Sequence, residues 1–297
     1  SELPHPDAFL IRSQKLHDTE FPPSLKAIGR AGAGVNNVPL ERCSEQGIVV
    51  FNAPGANANA VKELVLAGML LGSRDIYQGM KFVEELEAQE GLDPLLEKEK
   101  KRFAGVELTG KTLGVVGLGN IGSLVANMGL ALGMKVIGYD PAISVEAAWR
   151  LSSDVEKMDN LSSLFGRADY ISLHLPVLDS TRAIVNDGLL SGAKENLVLL
   201  NFARGEIVDD SAILKALEDG RVHRYVSDFP TNETLRHPKI LQMPHIGAST
   251  GEAEENCAVM VADQLISFLE NGNVRNSVNF PQIELPRTTP VRLTITN

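Results

Sequence analysis

Short apolar runs alternate with longer amphipathic stretches along most of the chain, a pattern typical of strands that alternate with helices. In the first part of the chain the runs that predict strands are Ala8–Ile11, Leu25–Ile28 and Ile48–Phe51. The helical patterns of this part are Val38–Cys43, Ala58–Ser73 and an interrupted segment, Ile76–Lys101.

A denser alternation begins at Gly110. Its predicted strands are Thr112–Val116, Lys135–Tyr139, Tyr170–Leu173, Leu197–Leu200, Arg224–Ser227 and Ile240–Gln242. Its clearest predicted helices are Ile121–Leu132, Ser211–Glu218 and Gly251–Glu270. The run Leu197–Leu200 is apolar throughout, which is typical of a strand buried on both faces in a parallel sheet. The predicted fold class is therefore α/β, with a doubly wound parallel sheet.

The composition and charge limit the partners of this chain. Its 297 residues predict two domains, and 43% of them are hydrophobic, as in ordinary globular proteins. The 28 basic and 38 acidic side chains give a net charge of −10. This charge disfavours binding to nucleic acid and to anionic membranes. It should also repel small anionic substrates, unless basic residues reverse the charge locally.

The two cysteines, Cys43 and Cys257, are too few for a disulfide framework and lack the spacing of metal ligands. Thiols of this kind are typical of a reducing cytosol, so we expect a cytoplasmic protein without a metal site. No apolar run approaches the roughly 18 residues that span a bilayer, and the first residues do not resemble a signal peptide.

A glycine-rich loop stands between a predicted strand and a predicted helix. Gly117, Gly119 and Gly122 form the pattern GxGxxG. The first glycine permits a tight turn, the second lets the backbone approach a pyrophosphate, and the third lets the helix pack closely. Asp140 ends the next predicted strand, where a carboxylate binds the ribose hydroxyls of NAD and repels the 2′-phosphate of NADP. A solvated turn before Pro141 is the alternative for Asp140. The combination predicts a Rossmann domain that binds NAD.

Five ordered motifs resemble the D-isomer-specific 2-hydroxyacid dehydrogenase family. They are Gly29–Asn37, Phe51–Pro54, Phe103–Leu108, the signature Asn201–Asp209 and the histidine motif Pro244–Thr250. The resemblance implies a doubly wound NAD-binding domain and a smaller, discontinuous, flavodoxin-like α/β substrate domain. It also implies a homodimer or a dimer-based tetramer that acts on a small anionic substrate.

The domain limits that this resemblance implies are 1–75 with 249–279 for the substrate domain and 76–248 for the NAD-binding domain with its dimerisation segment. Residues 280–297 are expected to be a linker and the first strand, Val291–Thr296, of a truncated regulatory domain. The first strand and helix of the family's substrate domain are expected to be missing.

The catalytic triad of the family corresponds to Arg204, Glu233 and His245. Arg204 would bind the substrate carboxylate or polarise the 2-oxo group, and His245 would be the general acid and base. Glu233 would orient His245 and raise its pKa. Thr234 stands where the family usually has proline, and a solvated loop glutamate is the alternative for Glu233.

The remaining site residues also come from the resemblance. The residues expected to bind the cofactor are Gly117, Gly119, Asn120, Ile121, Gly122, Asp140, Leu175, Phe202, Ala203, Asp228, Gly247, Ala248 and Val61. The residues expected to bind the substrate are Arg12, Arg30, Ala31, Gly32 and Ala33.

The resemblance also implies that Arg12 and Arg30 stand where members acting on a phosphorylated substrate bind its phosphate. The leading hypothesis is therefore oxidation of D-3-phosphoglycerate to 3-phosphohydroxypyruvate. Other D-2-hydroxyacids, namely glycerate, lactate and 2-hydroxyglutarate, are the enzymatic alternatives. A redox-sensing scaffold like the C-terminal-binding-protein corepressors is the alternative of another class. The basic cluster Lys98–Arg102 either reaches a neighbouring subunit's site or forms a solvated helix face.

Overall fold

The computed structural model describes residues 5–88, 90–286, 288–289 and 291. The strands in these residues are β1 (Ala8–Ile11), β2 (Ala27–Arg30), β3 (Val49–Phe51), β4 (Thr112–Val116), β5 (Lys135–Tyr139), β6 (Glu156–Lys157), β7 (Tyr170–Leu173), β8 (Leu197–Asn201), β9 (Val222–Ser227) and β10 (Ile240–Gln242). The helices are α1 (Leu40–Glu45), α2 (Ala58–Ser73), α3 (Ile76–Glu84), α4 (Leu92–Glu99), α5 (Asn120–Ala131), α6 (Val145–Arg150), α7 (Leu161–Arg167), α8 (Asp187–Ser191), α9 (Asp210–Glu218) and α10 (Gly251–Asn271).

The chain divides into two compact units. The larger unit is Val61–Gly247, and the smaller unit combines Ser1–Ala60 with Ala248–Asn297. The smaller unit therefore consists of two separate segments of the chain. Its strands pair in parallel in the order β1-β2-β3. Helix α10 lies directly on β2, because a Cβ at Gly29 would be 2.3 Å from a methyl group of Val261.

The larger unit contains a parallel sheet in the order β10-β9-β8-β7-β4-β5-β6. Successive residues of β8 point into different apolar clusters: Leu199 belongs to the cluster on one face and Leu200 to the cluster on the other. This confirms the doubly wound α/β fold. The direction of strand order reverses between β4 and β7, and such switch points are where ligands bind at the carboxyl ends of the strands.

Most of helix α2, from Val61 onwards, lies in the larger unit, whereas the expected domain limit was residue 75. Gly68 and Gly72 let this helix pack on the sheet. A Cβ at Gly68 would be 2.9 Å from the ring of Phe202, and one at Gly72 would be 2.7 Å from Val198. The structural division therefore follows Ala60 instead of residue 75.

Two further differences concern the interrupted and the terminal segments. The helical pattern Ile76–Lys101 forms two helices, α3 and α4, and Gly91 immediately before α4 adopts φ +80°. Of the strand expected at Val291–Thr296, only Val291 lies within the described residues. The regulatory-domain assignment stays a prediction.

Candidate active site

The glycine loop joins the end of β4 to the start of α5, as the sequence predicted. Gly117 has φ +88°, and a Cβ there would lie 2.5 Å from the carbonyl oxygen of His174. A Cβ at Gly122 would lie only 1.8 Å from the carbonyl oxygen of Gly117, whereas one at Gly119 would meet nothing within 4 Å. Gly117 and Gly122 therefore serve close packing, and Gly119 keeps the backbone accessible. Because no side chain caps α5 and its first turn has no acidic residue, the loop fits a diphosphate.

Asp140 follows β5 and is tied to the glycine loop. Its Oδ2 accepts a hydrogen bond from the N–H of Leu118 at 2.8 Å, and its Oδ1 accepts one from the N–H of Ala142 at 2.9 Å. Each carboxylate oxygen has a further lone pair that a ribose hydroxyl could use. The loop and Asp140 together fit a dinucleotide such as NAD, and Asp140 also fixes the loop.

The residues that follow β7 pack against the glycine loop. The N–H of His174 donates to the carbonyl of Val116 at 2.8 Å, and its Nε2 lies 2.8 Å from the hydroxyl of Ser172. Burial lowers the pKa of His174 to about 3, so its imidazole is neutral near pH 7. Leu175 comes next, and its side chain lies 3.2 Å from the Cβ position of Gly117.

Asn201, at the end of β8, shapes the turn that carries Arg204. Its side chain is fully buried, donates to the carbonyl of Arg204 at 2.9 Å and accepts from the N–H of Ala203 at 3.1 Å. The guanidinium of Arg204 lies 5.7 Å from the ring centroid of Phe229. Phe202 points the other way and packs against α2.

The loop after β10 presents His245 with its backbone in the left-handed region, at φ +57°. Asp228 holds this loop. Its carboxylate accepts hydrogen bonds from the N–H groups of Ile246 at 2.9 Å and Gly247 at 2.7 Å, and its carbonyl accepts one from His245 at 3.0 Å. The imidazole of His245 is solvent-exposed and lies 4.7 Å from the ring of Phe229.

Phe229 therefore contacts both Arg204 and His245, and the structure brings these two predicted residues together. Sequence reasoning assigned no role to Phe229 or Asn201. The signal available was their position, because each stands at or just after the end of a central parallel strand, next to a predicted site residue.

Glu233 lies on an exposed loop, and no hydrogen bond or ion pair joins it to His245 in the described part of the chain. Its neighbour Thr234 is 1% exposed. The hydroxyl of Thr234 accepts a hydrogen bond from the N–H of Thr231 at 3.1 Å and another from the side chain of Gln242. A buried threonine thus fixes this loop where the family usually has proline.

The remaining cofactor candidates divide between the two units. Asn120 is the first residue of α5, and Ile121 packs against the apolar cluster beneath it. Ala203 is buried in the turn before Arg204. Val61 lies 3.6 Å from the Cβ position of Gly247, whereas Ala248 is the first residue after the larger unit.

In the smaller unit, Arg12 directly follows β1 and Arg30 ends β2. Arg12 forms an ion pair with Glu254 of α10 at 2.5 Å. The guanidinium of Arg30 packs directly against Gly32, since a Cβ at Gly32 would lie 1.6 Å from the Nη1 of Arg30. Both arginines act on one thiol: burial raises the pKa of Cys257, and the charges of Arg30 and Arg12 oppose that rise.

The loop after β2 uses several of its own polar groups. The N–H of Ala31 donates to the carbonyl of Ile11 and the N–H of Gly32 donates to the carbonyl of Arg30, both at 2.8 Å. The carbonyl of Ala33 accepts from the side chain of Asn52 at 2.6 Å. The loop is thus held by these bonds, and the side chains of Arg12 and Arg30 are its cationic groups.

The basic cluster Lys98–Arg102 has local partners. Lys100 pairs with Glu97, and Arg102 pairs with Glu99 at 2.6 Å. The guanidinium of Arg102 also lies over the ring of Phe103, 5.4 Å from its centroid.

Within the described residues, no helix is long and apolar enough to cross a membrane.

The family model for the NAD binding domain of D-isomer specific 2-hydroxyacid dehydrogenases matches residues 66–249, more than half of the chain. The D-3-phosphoglycerate dehydrogenase of Methanocaldococcus jannaschii is 39% identical over 87% of this chain and 48% of its own length. The human D-3-phosphoglycerate dehydrogenase is 36% identical over 86% of this chain and 46% of its own length. The chain spans about half the length of the curated relatives it matches.

Among solved structures, the NAD+-bound 3-phosphoglycerate dehydrogenase of Entamoeba histolytica matches with a TM-score of 0.71 and 28% identity. The match covers 92% of this chain and 82% of that one. The range of this chain that matches the family model, residues 66–249, contains the glycine loop, Asp140, Arg204 and His245. The chain therefore belongs to the D-isomer specific 2-hydroxyacid dehydrogenase family and contains its NAD-binding domain.

Proposed function

We propose that the full-length protein catalyses the NAD-dependent oxidation of D-3-phosphoglycerate to 3-phosphohydroxypyruvate, the first step of serine biosynthesis. The observation that carries this proposal is the placement of Arg204 and His245 against one ring, that of Phe229. The proposed acid–base group and the proposed carboxylate-binding group are thus neighbours at the carboxyl ends of the strands, which supports the proposal. The names of the curated relatives support the choice of substrate.

In this proposal the guanidinium of Arg204 binds the substrate carboxylate through paired hydrogen bonds. The imidazole of His245 accepts the proton of the 2-hydroxyl group as the carbonyl forms. When bound, NAD supplies the acceptor for the hydrogen and two electrons that leave carbon 2. Asp228 holds the His245 loop, and Glu233 is proposed to orient the imidazole during turnover.

The phosphate group is proposed to bind Arg12 and Arg30. Arg12 directly follows β1, and Arg30, which pairs with Ile11, ends the neighbouring strand β2. The charges of both arginines reach the thiol of Cys257. In this proposal the two guanidinium groups attract the anionic substrate in spite of the net charge of −10. Glu254 occupies Arg12 in this structure, and the substrate phosphate would compete with it.

Two further proposals rest on the sequence: the resemblance to the family supports the oligomeric state, and the two thiols support the location. We propose that the protein is a homodimer or a dimer-based tetramer and that it acts in the cytoplasm. Light scattering of the full-length protein and fractionation of the source cells test these two proposals.

The test of function is NADH formation by the full-length protein with D-3-phosphoglycerate, D-glycerate, D-lactate and D-2-hydroxyglutarate. We expect kcat/KM to be at least about 10-fold higher with D-3-phosphoglycerate, since charged hydrogen bonds to a phosphate contribute this much. Arg12→Gln should reduce that preference, whereas Lys26→Gln, which removes an exposed partner of Asp7, should not. Equal rates with glycerate and phosphoglycerate would overturn the substrate. No NADH with any acid would favour the scaffold alternative.

A further inference from the structure

A guanidinium lies at the N-terminus of the helix that follows the glycine loop. Arg150, the last residue of α6, donates a hydrogen bond from Nη2 to Oδ1 of Asn120 at 2.8 Å. Asn120 is the first residue of α5 and directly follows Gly119, whose backbone is the accessible part of the loop. The positive charge of Arg150 is therefore close to the N–H groups that fit a diphosphate.

Hydrogen bonds from a neighbouring helix fix the backbone at Arg150. The side chain of Asn127, two turns along α5 from Asn120, donates to the carbonyl of Arg150 at 2.9 Å. The same side chain accepts from the N–H of Ser152 at 3.0 Å. Two asparagines on one face of α5 thus hold the end of α6 and the guanidinium that it carries.

A cation beside the glycine loop would strengthen its binding of a diphosphate, and the loop's own sequence provides none. Residues Gly117 to Gly122 include no basic side chain, and the nearby Asp140 is acidic. A helix N-terminus contributes only about half a positive charge, whereas the diphosphate of a dinucleotide carries about two negative charges. Arg150 supplies a full positive charge, and its side chain is solvent-exposed.

We propose that Arg150 is a diphosphate-binding residue for NAD, positioned by Asn120 and Asn127. The proposal rests on the binding of NAD by this domain. In it, Arg150 donates charge-assisted hydrogen bonds to the diphosphate, and Asn120 keeps the guanidinium over the start of α5. Arg150 lies on α6, outside the GxGxxG pattern, so the pattern by itself does not identify it.

The test is the binding of NADH, ADP and adenosine to the full-length Arg150→Gln variant, measured by calorimetry or by competition with NADH fluorescence. We expect the Kd of NADH and of ADP to rise about 10-fold, since a charged hydrogen bond is lost, while the Kd of adenosine is unchanged. Arg221→Gln is the matched control, because Arg221 precedes β9, which β8, β7 and β4 separate from β5 in the sheet.

Unchanged ADP affinity in Arg150→Gln would overturn the proposal. An equal loss for adenosine and ADP would also overturn it, since Arg150 would then only stabilise the fold around the site. Failure of the wild-type protein to bind NADH would overturn the cofactor assignment together with this inference.

Discussion

The carboxylate of Asp228 accepts a hydrogen bond from the N–H of Gly247 at 2.7 Å. The N–H groups of Ile246 and His245 also donate to Asp228, the first to the carboxylate and the second to the backbone carbonyl. Three consecutive N–H groups thus converge on one residue that is 2% exposed. His245 adopts φ +57°, which few residues other than glycine adopt, and Asp228 holds it there.

Asp228→Asn should loosen the His245 loop. An amide offers one acceptor oxygen, and its NH2 group would face a backbone N–H that also donates. We expect the free energy of unfolding in urea to fall by about 1–3 kcal/mol and turnover to fall with it. Asp219→Asn, an exposed position after α9, is the control. Unchanged stability and turnover in Asp228→Asn would show that the loop does not depend on the carboxylate.

The two glycines at the start of α5 should respond differently to alanine. Gly122→Ala places a Cβ 1.8 Å from the carbonyl of Gly117, so the helix must move and thermal stability should fall. Gly119→Ala meets nothing within 4 Å, so the fold should be retained while NADH binding weakens. Thermal unfolding and NADH titration of both variants separate the effects. Full NADH affinity in Gly119→Ala would contradict the assignment of the diphosphate to this loop.

His174 should make the protein less stable in acid. Its pKa falls from 6.5 to about 3 on folding because burial disfavours the imidazolium, so the unfolded chain binds the proton first. Stability is therefore lost as the pH falls below about 6.5, with a slope near 1.4 kcal/mol per pH unit from this group. The stability of the wild type relative to His174→Gln should therefore fall from pH 7 to pH 4.5. A constant difference would mean that His174 titrates normally.

Asp140 should determine the preference for NAD over NADP. Asp140→Asn removes the charge that repels a 2′-phosphate and keeps an acceptor for the N–H of Leu118, although the N–H of Ala142 loses its acceptor. We expect the ratio of Kd for NADP to Kd for NAD to fall by about 10-fold or more. The exposed Asp154→Asn is the control. An unchanged ratio would place the discrimination elsewhere.

The sequence predicted most strands of the larger sheet. The strands Thr112–Val116, Lys135–Tyr139 and Tyr170–Leu173 have the predicted limits because apolar runs flanked by polar turns leave little choice of register. The edge strand β6 has two exposed residues, and the short helices α6 to α8 lack a long apolar stripe. Their patterns were too short to detect, although α6 carries Arg150.

In the candidate site, the contacts between residues far apart in the chain could not be predicted from the sequence. Arg204 and His245 were predicted by motif, but the ring of Phe229 that joins them depends on how β8, β9 and β10 are paired. The ion pair between Arg12 and Glu254 joins residues far apart in the chain, so spacing gave no sign of it. The role of Glu233 beside His245 stays a prediction.

The most direct test of the proposed chemistry is a comparison of turnover and NADH binding in His245→Asn. Asparagine adopts the left-handed backbone that this position requires, so the loop should keep its shape. We predict that kcat for D-3-phosphoglycerate falls by about 10²- to 10⁴-fold while the Kd of NADH changes little. His223→Gln, at the start of β9, is the control and should keep normal kcat. A His245→Asn enzyme with near-normal kcat would contradict the assignment of His245 as the acid and base.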